Sequence, residues 1–181
     1  MQDERETVSR VLRGDSEAFR QIVERYQGPV LSFVRHLLLD REDALELAQE
    51  VFLTAFAKLS RFDPACSRLS TWLFTIAKNK TINANKKKRP RAISAFPEQE
   101  SPSAASDGLV LGEMFVTLDV ALRSLPDRQR RAFVLSQIEQ LPYEEIAQTE
   151  GTRVGTIKSR VNRARQKLQA SLATFMKDDN E

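Results

Sequence analysis

The sequence predicts an all-α protein: two small helical domains joined by a flexible acidic linker, the second ending in a helix-turn-helix. Three observations predict it. Apolar residues recur at three- and four-residue spacing along most of the chain, with no run of the strict alternation that marks a half-buried strand. A stretch from Pro97 to Gly108, rich in Ser, Pro and Ala, separates two such regions and has the composition of a linker. The last part of the chain then shows a short helical pattern, a turn glycine at Gly151 and a long basic helical pattern, which is helix-turn-helix spacing.

The elements follow in order. Gly14 and Asp15 precede a helix whose face is Ala18, Phe19, Ile22, Val23 and Tyr26, with Asp15 or Ser16 as its cap. Pro29 is expected to bend or restart it, with Val30, Leu31, Val34, Leu37 and Leu38 continuing the apolar face. A second helix from about Arg41 to Ser60 carries the stripe Ala44, Leu47, Ala48, Val51, Ala55 and Leu59, and Asp63-Pro64 turns the chain. Ser70 is a candidate cap for a third helix from Thr71 to about Lys87, whose inward residues are Trp72, Leu73, Ile76 and Ala77. Helical pattern resumes near Val110. The break Leu125-Pro126-Asp127 leads to a helix from about Arg128 to Glu139, then a short one from Tyr143 to Thr149 and a long one from about Val154 to Met176. The domains are expected at 1–95 and 115–178, with the linker at 96–114.

At 181 residues, 41% hydrophobic and 29% charged, the chain is long enough for two small globular cores. No apolar run approaches the roughly 18 residues a membrane span needs, and Met1 to Asp15 has no signal-peptide apolar core, so the chain is expected to stay in the cytoplasm. One cysteine, Cys66, and one histidine, His36, leave no basis for an internal disulfide or a structural zinc site of about four ligands. Nothing in the sequence pairs a nucleophile with a base, forms a Gly-rich phosphate loop or clusters metal ligands. No enzyme activity, metal or cofactor is therefore expected.

Charge is distributed unevenly although the net value is only +3. Asn85 to Arg91 and Gly151 to Leu168 hold five and six basic residues with no acid, whereas Ala92 to Leu122 holds no basic residue at all. Two polyanion contacts joined by a segment that avoids the polyanion fit that pattern; solvated helix faces are the plainer alternative. The last helix separates the two. Val154, Ile157, Val161, Ala164 and Leu168 recur at steps of 3, 4, 3 and 4, and so do Arg153, Thr156, Arg160, Arg163 and Lys167. The second stripe lies roughly 100° around the helix from the first. One face packs against the preceding helix, through Ile146 and Ala147. The other offers arginine forks suited to guanine edges or phosphates in a major groove, with Lys158, Ser159 and Asn162 adding donors alongside.

On these residues the chain resembles a known family. Leu141-Pro-Tyr-Glu-Glu-Ile-Ala147, Val154-Gly-Thr-Ile-Lys-Ser-Arg160 and Arg163-Ala-Arg165 are similar to the fourth domain of extracytoplasmic-function sigma factors, and Leu125-Pro126 with Arg131-Ala-Phe-Val134 fits that domain's start. Gly14-Asp-x-x-Ala-Phe19, Asp43-Ala-x-x-x-Ala-Gln-Glu-Val-Phe52 and Thr71-Trp-Leu-x-x-Ile-Ala77 with Asn79 resemble the second domain. The resemblance implies a dissociable subunit that directs bacterial RNA polymerase to promoters and assists melting, without covalent chemistry of its own. A dimeric helix-turn-helix regulator independent of polymerase is the alternative; no dimerisation helix is evident for it. The resemblance also implies site residues. Core polymerase would meet Asp43, Glu46, Gln49, Glu50 and Phe52, with Leu45 extending the apolar surface. Phe52 is divided between docking and core, and Phe56 is assigned to the core. Lys58, Lys78, Asn79, Lys80, Asn83 and Arg89 would hold the minus-ten element, and Trp72 is read as core rather than as a stacking platform. Arg153, Thr156, Lys158, Ser159, Arg160, Asn162, Arg163 and Lys167 would read the minus-thirty-five element. Thr149-Glu150 stands where the family has apolar residues, and Thr152-Arg153 replaces an apolar-proline pair. The family implies three partners: core polymerase, promoter DNA and an anti-sigma factor, often membrane-linked. No small-molecule substrate and no membrane insertion are expected.

Overall fold

The computed structural model describes residues 2–38, 42–88 and 118–178, and these are helical throughout apart from turns. The N-terminal half contains α1 (Gln2–Leu12), α2 (Ala18–Leu37), α3 (Ala44–Lys58) and α4 (Leu69–Lys88). The apolar pattern did not single out α1, because only Thr7, Val8 and Val11 of its residues turn inward. Asp15 caps α2 as expected: its carboxylate accepts the Ala18 N–H at 3.2 Å and is held by Arg10 at 2.7 Å. The Arg10 hydrogen bond is the main reason its carboxyl titrates below the usual range. The helix does not restart at Pro29, since α2 runs through it to Leu37. A proline in a helix forfeits a backbone hydrogen bond. Here Val30, Phe33, Val34 and Leu37, all essentially inaccessible, keep the following turns in place by burial. Phe33 meets Phe74 of α4 edge to face at 5.3 Å, which locks the centre of the three long helices.

The C-terminal half contains α5 (described over 118–124), α6 (Asp127–Phe133), one turn of π-helix (Val134–Ile138), α7 (Tyr143–Glu150) and α8 (Val154–Asp178). The single helix expected from Arg128 to Glu139 is thus an α-helix that widens at its C-terminal end. The wide turn closes on Gln140, which adopts a left-handed conformation at φ 53°. Between α7 and α8 the turn is made by Gly151 at φ 63°, ψ 44°, with the Thr152 N–H reaching back to the Ala147 carbonyl at 3.0 Å. That is a helix C-terminus closed by a left-handed glycine, a geometry that a side chain would strain.

The two halves pack directly on each other, and one apolar cluster runs from Phe33, Val51 and Leu73 into Leu135, Ile146 and Ile157. A smaller cluster, Ala121, Leu122, Leu125, Ala164 and Leu168, seats α5 on the far end of α8. The linker expected at 96–114 lies outside the described residues. Among the described residues no helix is long and apolar enough to cross a membrane.

Candidate nucleic-acid interface

α8 carries the two faces that its spacing predicts. Ile157, Val161, Ala164 and Leu168 are buried against α5, α6 and α7, while Arg153, Lys158, Ser159, Asn162, Arg163 and Lys167 are exposed and Thr156 and Arg160 half-buried. Arg153 lies just before the helix, where its carbonyl receives the Thr156 N–H at 2.9 Å. Among the described residues Arg163, Lys158 and Lys167 have no side-chain partner, so their charges are available to a polyanion.

The unusual pair Thr149-Glu150 is accounted for by its surroundings. Thr149 is buried and donates its hydroxyl to the Glu145 carbonyl at 2.9 Å. The Glu150 carboxylate is 3% exposed and lies between two guanidiniums: Arg131 holds both oxygens, at 2.8 and 3.1 Å, and Arg160 approaches at 3.4 Å. A bidentate pair fixes orientation as well as charge. The acid has therefore entered the turn together with the arginines that satisfy it. Arg160 consequently serves packing as well as any DNA contact.

In the N-terminal half, Glu46, Gln49 and Glu50 are exposed on α3 and Asp43 is half-exposed at its start. Two aromatic assignments need correction. Phe52 is buried, at 8% exposure, and belongs to the core; Phe56 is 46% exposed, with its ring edge on Phe19 at 5.1 Å. The accessible apolar surface of α3 is Leu45, Leu53 and Phe56, with Leu53 the most exposed at 70%. Helical spacing alone could not separate Phe52 from Phe56, because α3 is apolar on most of its circumference. Leu53 went unrecognised for the same reason.

The candidate minus-ten residues are gathered along α4 and the end of α3. Asn79 and Asn83 are exposed one turn apart, and Lys58 is exposed at the end of α3. Lys80 is paired with Glu50 at 2.7 Å, joining two residues read as serving different partners. Lys78 donates to the Thr149 carbonyl in the other half, and burial pushes its ammonium below the usual lysine range. Trp72 is half-buried, its ring centroid 5.4 Å from that of Phe62. Ser70 does not cap α4; its hydroxyl donates to Glu145 at 3.1 Å instead. Arg89 lies outside the described residues. Cys66 is exposed and donates its thiol to Asp63 at 3.1 Å, and that hydrogen bond, followed by the Asp63 charge, pushes the thiol up.

A packed helix-turn-helix with an exposed basic face on its second helix suits DNA, and an acidic, apolar-studded helix elsewhere suits a protein partner. Comparison with known proteins makes this specific. The sequence matches the families Sigma-70 region 2 over residues 22–91 and Sigma-70, region 4 over residues 115–168. It is 30% identical to the RNA polymerase sigma-H factor of Pseudomonas aeruginosa over 98% of this chain and 97% of that one. It is 39% identical to the ECF RNA polymerase sigma factor EcfG of Rhodopseudomonas palustris over 74% of this chain and 72% of that one. Its fold matches the sigma factor RpoE of Bartonella quintana, solved with the anti-sigma factor NepR, at a TM-score of 0.70 and 28% identity, over 86% of this chain and 96% of that one. The chain belongs to the sigma-70 family, in its extracytoplasmic-function group. It is an RNA polymerase sigma factor, whose work is to bring the core enzyme to particular promoters and assist initiation.

Proposed function

We propose a division of labour within this sigma factor. Residues 1–95 form the domain that meets core polymerase and the minus-ten element, 96–114 are the linker, and 115–178 form the domain that reads the minus-thirty-five element. Core polymerase is met by the acidic rim Asp43, Glu46, Gln49 and Glu50 around the apolar anchors Leu45, Leu53 and Phe56, an arrangement that suits a basic partner. Asn79 and Asn83 read unpaired bases by their carboxamides, and Lys58, Lys78 and Lys80 hold the backbone. Arg163, Lys158, Ser159 and Asn162 enter the major groove, flanked by Arg153, Thr156, Arg160 and Lys167. The subunit performs no covalent chemistry. Its surroundings are the cytoplasm, and an anti-sigma protein, membrane-linked or free, masks the polymerase- and DNA-binding faces when the regulon is off.

The observation that carries this reading is the pairing of faces on α8, one buried from Ile157 to Leu168 and the other basic and largely exposed. The test is reconstitution. The purified chain should bind core polymerase and support initiation from defined start sites, and Leu53→Asp should abolish the binding while leaving the helical content of the free chain intact. A chain that leaves polymerase unbound without any anti-sigma protein present would sink the reading.

A further inference from the structure

The helix-turn-helix departs from its family at Thr149-Glu150, and the second of these residues joins three helices. Glu150 is the last residue of α7, and its side chain is 3% exposed. Arg131 of α6 donates from Nε to one carboxylate oxygen at 2.8 Å and from Nη2 to the other at 3.1 Å. That second oxygen also receives Arg160 Nη1 of α8, at 3.4 Å. The side chains of Arg131 and Arg160 are 12% and 16% exposed, so the triad sits at the edge of the core with little solvent around it.

Stability does not account for the acid. An ion pair taken out of water gains little over apolar side chains of the same size, because desolvation offsets most of the attraction. An apolar residue at position 150 would close the turn as well. What it could not do is direct a guanidinium. Arg160 belongs to the basic stripe of α8, and Thr156, Ser159, Arg160 and Arg163 border one open cleft. A free arginine samples many rotamers and loses them on binding. Arg160 is already drawn toward the turn by Glu150, which takes one of its N–H donors and leaves the others for a ligand. A half-buried guanidinium tethered in this way has a short reach, suited to phosphates at the rim of the groove. Arg163, exposed on the same side of α8, has the reach for base edges.

We propose that Glu150 is a positioning residue for minus-thirty-five recognition: anchored by Arg131, it presets Arg160 as a clamp on a backbone phosphate and so fixes how α8 sits in the groove. The inference rests on α8 being the minus-thirty-five reader. It adds a residue that never touches DNA and acts through one that does. The clamp supplies affinity and register, and leaves the choice of base to Arg163 and its neighbours.

A double-mutant cycle tests it, in reconstituted holoenzyme on a promoter whose minus-thirty-five element was selected with that holoenzyme. Glu150→Ala alone would strand Arg131, so the effect is isolated by Glu150→Leu with Arg131→Met, an apolar pair that fills the same site without charge. Chemical denaturation checks that this pair keeps the parent's stability. In the parent, Arg160→Ala should weaken promoter binding about tenfold, evenly across sequences, with a salt slope shallower by about one. The apolar pair should lose most of the same tenfold although Arg160 is still present, and adding Arg160→Ala to it should cost under about twofold more. Glu150→Gln, which keeps the shape and removes the charge, gives a second route: it should weaken binding about threefold, and not at all in the presence of Arg160→Ala. An equal cost of Arg160→Ala with and without Glu150 overturns the positioning role, and so does an apolar pair that binds the promoter as tightly as the parent. A base-dependent loss with Arg160→Ala overturns the phosphate clamp. Failure of the underlying reading looks different: Arg163→Ala and Arg160→Ala would both leave the minus-thirty-five dependence of transcription unchanged.

Discussion

α4 and α8 are the two helices read as touching the promoter, and they keep their cations differently. On α8, Lys158, Arg163 and Lys167 stand free, with a buried apolar stripe behind them. On α4, Lys78 is spent on a carbonyl of the other half and Lys80 on Glu50 of α3. A charge with no intramolecular partner is available at once for counterion release and groove readout. A charge already paired must first give up its partner, and each exchange subtracts from what the DNA contact gains. α8 thus offers these cations directly to a polyanion, whereas Lys78 and Lys80 of α4 must first leave the Thr149 carbonyl and Glu50.

The predictions that break or sharpen this contrast run from large to small. Glu150→Ala should cost about 3–5 kcal/mol of folding stability, because it strands Arg131 in a buried site beside Arg160; chemical denaturation reads it, and Glu150→Leu paired with Arg131→Met should recover most of the loss. Ile157→Ala should cost about 2–5 kcal/mol by leaving a cavity where α8 meets α7, while Lys158→Ala next to it should change stability by under about 0.5 kcal/mol. If the two cost the same, the assignment of faces on α8 is wrong. Arg163→Ala should weaken binding to the cognate minus-thirty-five element by about 1–3 kcal/mol and relax selectivity at one base step, with folding unaffected; equal loss on scrambled duplex would mark a phosphate contact instead. Lys80→Ala should change stability by under about 1 kcal/mol, the worth of its ion pair with Glu50, and should lower promoter affinity evenly across sequences, with a salt slope shallower by about one. A sequence-dependent effect of Lys80→Ala would mean that α4 reads bases with its cations as well as its carboxamides.

Most of the fold was legible because helical periodicity reports burial directly. The two stripes of α8 follow its spacing except at Val154, Thr156 and Arg160, which are half-buried, and the turn at Gly151 follows from a residue type that tolerates a left-handed backbone. The misses share one cause. Pro29 sits inside α2 because neighbouring burial outweighs a lost hydrogen bond, and the π turn at Val134–Ile138 has no composition of its own. Phe52 proves to be core and Phe56 exposed, a choice that spacing could not make because α3 is apolar on too many sides. Ser70, a good cap by type, was drawn to Glu145, a residue 75 positions away.

The sequence by itself determined the class of fold, the family and the two faces of α8, because each depends on spacing within one helix or one motif. Only the tertiary structure decided which charges are free. Lys78 meets Thr149 and Arg68 meets Glu145 across separations of more than seventy residues, and no local pattern encodes a partner that distant. Hydrogen bonding is short-ranged, so a polar residue's function depends on what folding brings within about 3 Å of it, and that is set by how two cores pack together.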